Sequence, residues 1–122
     1  MTTTERRLEQ TFPSATDFEA RIQADPRCTI ERTLDVIGSK WATLILRELL
    51  GGTKRFGEMR ARLTGVSPKT LTDRLRELES HGVLERTVYA EVPPRVEYTL
   101  TEKGRALRPI LEAMGAWGER WT

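Results

Sequence analysis

Apolar residues fall along this chain at two spacings. From about residue 14 to residue 81 they lie three and four apart, between 84 and 100 they alternate with polar residues, and beyond 101 the helical spacing returns. Residues 1 to 13 follow neither rule and read as a flexible polar tail. Ser14 then caps a short helix in which Phe18 and Ile22 form an i, i+4 pair. Asp25-Pro26 ends it, because the residue before a proline avoids the α region. Two apolar anchors make a marginal helix, which is therefore expected to pack on another surface.

From Cys28, the positions of Ile30, Leu34 and Ile37 predict a first core helix, with Gly38 just past its end. Ser39 caps a second, in which Trp41, Leu44, Ile45, Leu46, Leu49 and Leu50 cover so much of the circumference that the helix must be nearly central. Gly51-Gly52 stops it. After a basic turn, Lys54-Arg55, a short third helix presents Phe56, Met59 and Leu63 and stops at Thr64-Gly65.

The next stretch, SPKTLTDRLRELES from Ser67 to Ser80, organises the rest. Ser67 is a suitable N-cap, and Pro68 suits the first helical position, where its missing N–H costs nothing. Leu71, Leu75 and Leu78 share one stripe, the expected buried face. Opposite lie Lys69, Thr72, Asp73 and Arg76, with Thr70 and Glu77 on one flank and Arg74 on the other. Such a face is either merely solvated or matched to a DNA groove, where Lys and Arg answer phosphates and guanine edges and Thr reaches phosphate, base edge or thymine methyl. A short glycine-containing connection joins this helix to the one before it, as in a helix-turn-helix. It ends at His81-Gly82, where the histidine suits a helix C-terminus better than catalysis.

Beyond Gly82, Leu84, Val88 and Val92, then Val96, Tyr98 and Leu100, alternate with polar residues and predict two strands of a hairpin with Pro93-Pro94 at its tip. Thr101 caps a last helix carrying Leu107, Ile110, Leu111, Met114, Trp117 and Trp121, bent near Arg105 by Pro109. That is more apolar face than a small domain covers easily, so it is expected to meet its own copy in a homodimer. The interface is assigned to Leu107, Leu111, Met114, Trp117 and Trp121, together with Phe18 and Ile22. The predicted fold is mainly α with a small β-hairpin, an α+β winged helix-turn-helix. It occupies one domain over residues 14–122, with the recognition helix at about 67–81, the wing at about 84–100 and the dimerisation helix at about 101–121.

The 122 residues suffice for one core. A net charge of +2 does not by itself call for a nucleic-acid partner, but its distribution does point to one. Eight cations face five acids between residues 53 and 86, against four and five in residues 1–27. One cysteine and one histidine cannot build the three- or four-ligand metal site, short of ligands shared between subunits, so neither metal nor cofactor is expected. The polar start, MTTTERRLEQ, and the lack of a long apolar run lead to the expectation of a cytoplasmic protein without membrane contact.

The segments IERTLDVIGSKWATLILRELL and RFGEMRARLTGVSPKTLTDRLRELESHGVLERTVYAEVPPRVEYTLTEKG resemble the HxlR-type bacterial winged helix-turn-helix regulators, close in architecture to the MarR group. The resemblance runs from about Cys28 to Trp121. It implies a homodimeric transcriptional regulator on a roughly palindromic double-stranded operator, often responsive to oxidants, electrophiles or other small molecules. It also implies major-groove contacts from Ser67, Lys69, Thr70, Thr72, Asp73, Arg74 and Arg76, a minor-groove or phosphate contact from Arg95, and backbone contacts from Lys54 and Arg55. Two such helices would stand about 34 Å apart, one turn of DNA. Arg74, near the buried flank, has the alternative of pairing with an acid; Asp73 is a cytosine reader or, the favoured reading, the partner that orients Arg76.

Cys28 stands at a helix start next to Arg27, and both features favour a reactive thiolate. Many members of the resembling family carry a cysteine here, and in some of them it is the sensor. The other reading makes it a small apolar residue, leaving a ligand-responsive regulator with a structural Cys28. A second cysteine for an intersubunit disulfide is missing, so a switch would need a Cys28 to Cys28 bridge or one modified thiol. Two other functional classes remain. A winged-helix protein-interaction module is disfavoured by the cations around the recognition helix, and a thiol enzyme lacks a base near Cys28. No catalytic residue is expected.

Overall fold

The computed structural model describes residues 15–24 and 27–122. The expected tail, the Ser14 cap and the Asp25-Pro26 stop lie outside these residues. The chain forms two compact units, Met1–Asp35 and Val36–Thr122. In the first, α1 (Ala15–Ala24) carries Phe18 and Ile22, both half-buried. The boundary falls inside α2 (Thr29–Ile37). Its last residues, Val36 and Ile37, join the core of the second unit, whereas Ile30 and Leu34 are 47% and 54% exposed. The helix thus buries its C-terminal residue, Ile37, in the core of the second unit.

In that second unit α3 (Lys40–Leu50) is the central rod. The Ser39 Oγ accepts the Ala42 N–H at 3.1 Å, which fixes the start, and Ala42, Ile45, Leu46 and Leu49 are buried. Trp41, Leu44 and Leu50 pack around this core at its margin. Lys54 and Arg55, expected as a basic turn, instead form a short strand, β1 (Lys54–Arg55). Two residues are too few for any alternation to show in sequence; the pairing partner alone makes them a strand. α4 (Phe56–Arg62) follows, burying Met59 and, just past its end, Leu63. Gly65, at φ 92°, supplies the left-handed residue that turns the chain into α5 (Pro68–Ser80).

β2 (Leu84–Tyr89) and β3 (Arg95–Leu100) form the predicted hairpin, with Leu84 opposite Leu100 and Tyr89 opposite Arg95. β1 adds to the free edge of β3, giving the order β1-β3-β2, antiparallel throughout. The sheet is thus three-stranded where the sequence predicted two. Only the base of the wing is apolar on the inside: Leu84, Tyr98 and Leu100 are buried, while Val88 is exposed and Val92 stands fully exposed at the tip.

The predicted single C-terminal helix is broken, not bent, into α6 (Glu102–Arg105) and α7 (Arg108–Trp121). Pro109 has no N–H for the Arg105 carbonyl and its ring would crowd it, so the chain closes with a Leu107 N–H to Gly104 O turn and restarts with Pro109 in the first turn of α7. α6 is short but tightly seated. A Cβ on Gly104 would stand 1.9 Å from the Val83 carbonyl oxygen, so only glycine fits. Thr101 ties the same junction, its Oγ1 donating to Gly82 O at 2.6 Å and accepting the Gly104 N–H at 3.1 Å.

One polar group lies inside this core. Glu48, on α3, is a buried carboxylate that bonds Arg62 from α4 and, at 3.1 Å, Arg47. Burial pushes its carboxyl up, but the hydrogen bonds and charges of Arg62 and Arg47 outweigh that and hold it below the ordinary value of 4.5. A lowered folded value means stability that is complete above 4.5 and is lost as pH falls through the folded value. Arg62→Ala should cost about 1–2 kcal/mol at neutral pH, less than for a fully buried pair, since the Arg62 head is solvated and Arg47 remains. Urea unfolding of both proteins along an acid series checks this: the gap between them should narrow as Glu48 is protonated.

Candidate nucleic-acid interface

The candidate interface lies on α5, and the orientation of that helix follows from one of its sides. Leu71, Leu75 and Leu78 are 0%, 2% and 1% exposed, as their spacing predicts. α5 packs through them on α3 and β2. Ser67 caps the helix, its Oγ accepting the Thr70 N–H at 3.1 Å and lying 2.9 Å from the Thr70 hydroxyl. At the other end His81 is the C-cap and Gly82, at φ 74°, turns the chain into β2.

The face opposite the leucines is polar and open. Lys69 reaches forward one turn to Asp73, Nζ to Oδ2 2.9 Å, while Thr70, Thr72 and Asp73 are half-buried and Arg76 is exposed. This corrects the expected Asp73–Arg76 pairing. The i, i+4 spacing stacks Lys69 directly below Asp73, and the lysine stem spans that distance easily. The hydrogen bond from Lys69, with the charges of Lys69, Arg74 and Arg76, holds the Asp73 carboxyl below its ordinary 3.8 against a smaller opposing effect of burial. Asp73 is therefore an anion at neutral pH and cancels much of the Lys69 charge. Arg74, on the flank, pairs with Glu77 at 2.6 Å, the alternative its position allowed. Arg76 has no hydrogen bond or ion pair among the described residues.

On the wing, the arginine expected to contact DNA makes contacts within its own hairpin. Arg95 is drawn back onto the hairpin: its guanidinium lies over the Tyr89 ring at 4.1 Å, 3.3 Å from Glu91 and 3.6 Å from Glu97. Its Nε is buried without a hydrogen-bond partner, and the side chain is only 29% exposed. Two acids and a ring flanking the cation outcompete extension into solvent, so the tip presents Val92, Pro93 and Pro94, not a charge. Lys54 and Arg55 stand on β1 at the opposite edge of the sheet from β2, the first half-buried and the second exposed.

Sequence reasoning passed over two residues. Glu48 sits in the apolar string KWATLILRELL, where a lone acid on a helix that is apolar all round signals a buried ion pair. Arg86 follows Leu84 by two, which puts it on the inner face of β2, opposite Tyr98. Arg86, Thr72, Leu75, Arg76, Glu79 and Tyr98 line a cavity of about 280 Å³ between α5 and the wing.

The other predicted sites lie apart from this face. Cys28 is a half-buried free thiol whose carbonyl accepts the Arg32 N–H at 3.1 Å, at the start of α2. The Arg27 charge expected to act on it is engaged with Asp35 at 2.5 Å and Glu31 at 3.9 Å. On α7, Leu107 and Leu111 pack against their own core, whereas Met114, Trp117 and Trp121 are 48%, 63% and 63% exposed. Among the described residues no cluster could hold a metal ion, and no helix is long and apolar enough to cross a membrane.

Known proteins share this design. Residues 36–122 match the HxlR-like helix-turn-helix family. An HTH-type transcriptional regulator of Synechocystis, sll1512, is 45% identical over 120 residues, covering 93% of this chain and 87% of that protein. The structure of the redox regulator HypR in its oxidised form is similar at 47% identity and a TM-score of 0.74, covering 78% of this chain and 98% of that one. The reduced form of the Bacillus subtilis regulator YodB is similar at 39% identity and a TM-score of 0.68, covering 77% and 93%. This chain belongs to the HxlR-like helix-turn-helix family and is a transcriptional regulator of the winged helix-turn-helix type.

Proposed function

We propose that two copies of this chain bind a roughly palindromic operator, each laying α5 in the major groove. One observation carries the reading: a leucine-anchored helix in a family of transcriptional regulators turns outward a face on which one cation, Arg76, forms no hydrogen bond or ion pair among the described residues. An unpaired arginine held at a surface is ready to meet a base edge or phosphate without first breaking an ion pair. Ser67, Lys69, Thr70 and Thr72 surround it with donors, Asp73 holds Lys69 upright, and Arg74 steadies the flank through Glu77. Lys54 and Arg55 meet the phosphate backbone. Arg95 serves as a brace of the wing, replacing the minor-groove contact expected of it from sequence.

Pairing of the copies runs through the exposed Met114, Trp117 and Trp121 of α7, one stripe at i, i+3 and i+7, with Phe18 and Ile22 adding to it. Leu107 and Leu111 support that stripe from within the subunit. Twofold pairing would set the two α5 helices about 34 Å apart. For regulation, the half-buried Cys28 is the proposed switch, its thiol oxidised or alkylated by an effector; the likeness to the redox regulator HypR favours this over a purely structural cysteine.

Arg76→Ala should weaken operator binding by about 1–3 kcal/mol, and binding of the wild type should fall steeply with salt, by about 0.9 in log–log slope per phosphate neutralised. Isotherms on operator and scrambled DNA check both; a flat salt response would favour a protein-docking module instead. The sedimentation mass of Trp117→Ala should drop toward one chain, and an unchanged dimer would place the interface elsewhere. An oxidant or electrophile should release DNA from the wild type but not from Cys28→Ser, and equal responses would leave Cys28 structural.

A further inference from the structure

The inner face of the wing holds a residue that the fold alone does not explain. In β2 the alternation puts Leu84 and Arg86 on the same side of the strand, toward α5, and the register sets Arg86 opposite the buried Tyr98. A position that shares a face with a core leucine and a core tyrosine would ordinarily be apolar. Here it is a guanidinium, exposed, and with no hydrogen bond or ion pair among the described residues. It forms one wall of the cavity of about 280 Å³ whose other wall is α5, with Arg76 and Thr72. Arg76 is likewise unpaired. The cavity therefore has two cations without an ion pair among the described residues, a hydroxyl, the apolar floor of Leu75 and Tyr98, and one acid, Glu79, which forms no salt bridge with either arginine; only Arg76 also feels the Asp73 carboxylate.

Two cations lining one groove raise its positive potential, and an anion seated between them would be held by both. The groove runs between the helix proposed to enter the major groove and the strand that leads to the wing. A strand of DNA spanning from one to the other would carry its phosphates past this opening. We infer that the groove is a seat for a single phosphodiester of the DNA backbone, with Arg86 as a DNA contact contributed by the wing and Arg76 and Thr72 closing on the same phosphate from α5. The inference rests on the operator-binding reading above and deepens it. Arg86 belongs to the rigid base of the hairpin, so a phosphate held there would fix the angle at which α5 meets the duplex, a role the retracted Arg95 does not fill. A phosphoryl oxygen could come from DNA or from a free phosphate, and the test separates the two.

Arg86→Gln removes the charge at nearly the same size, and Arg86→Lys restores the charge. With an operator selected from random DNA by the wild type, the Gln variant should show a log–log salt slope shallower by about 0.9 per subunit, and the Lys variant should return it most of the way. Replacing backbone phosphates one at a time by neutral methylphosphonate should reveal, in each half-site, one linkage whose neutralisation weakens the wild type about tenfold or more and leaves Arg86→Gln unchanged. Matching melting curves would show that both variants fold. An Arg86→Gln protein that keeps the wild-type slope and the wild-type response at every linkage overturns the phosphate seat while leaving operator binding by α5 intact. Inorganic phosphate that releases Arg86-dependent binding at millimolar concentration, with no linkage affected, also overturns it in favour of a free-anion site. A wild type that selects no DNA removes both readings together.

Discussion

Burial of three leucines on α5 is the constraint on which the rest of the structure depends. Each contributes about 1.5–3 kcal/mol when withdrawn from water. Leu71, Leu75 and Leu78 are essentially inaccessible, so rotating the helix by one residue would expose them and drive charged side chains into the core. That fixed orientation turns Lys69, Thr72, Asp73 and Arg76 toward solvent. The caps fix position along the axis as the leucines fix rotation. Ser67 holds the first turn, and Gly82, in the left-handed region, ends the helix and starts the wing at a set place.

On the surface so defined, charge is distributed unequally. Several cations near α5 are already matched: Lys69 with Asp73, Arg74 with Glu77, Arg62 with Glu48, and Arg95 with Glu91 and Glu97. These pairs hold side chains in place and leave little net charge. Arg76 and Arg86 form no ion pair among the described residues, and both open on the same groove. A mild total charge of +2 is thus compatible with a strongly anion-seeking site, because the surplus is local.

The supporting layer is equally specific. Glu48 joins the central helix to the first helix of the helix-turn-helix through Arg62, so the two elements that support α5 are linked by an ion pair between a buried carboxylate and a solvated guanidinium. Gly104 lets α6 approach the Val83 carbonyl closely enough to pin the base of the wing. Neither feature touches the outward face, yet both govern how rigidly that face is presented.

By itself, the sequence determined whatever depends on neighbours a few residues away. The leucine period, the Ser39, Ser67 and Thr101 caps, the glycine stops and the alternation of the hairpin are local, and the elements follow from them. They were enough to predict a winged helix-turn-helix and which side of α5 faces outward. Tertiary structure decided whatever depends on a partner distant in the chain. Lys54 and Arg55 become a strand only because β3 lies beside them. Arg95 folds back because Tyr89 sits directly across the hairpin from it, and Arg86 meets Arg76 because β2 packs alongside α5. Periodicity tells a residue which side of its own element it occupies; only packing tells it what stands on that side.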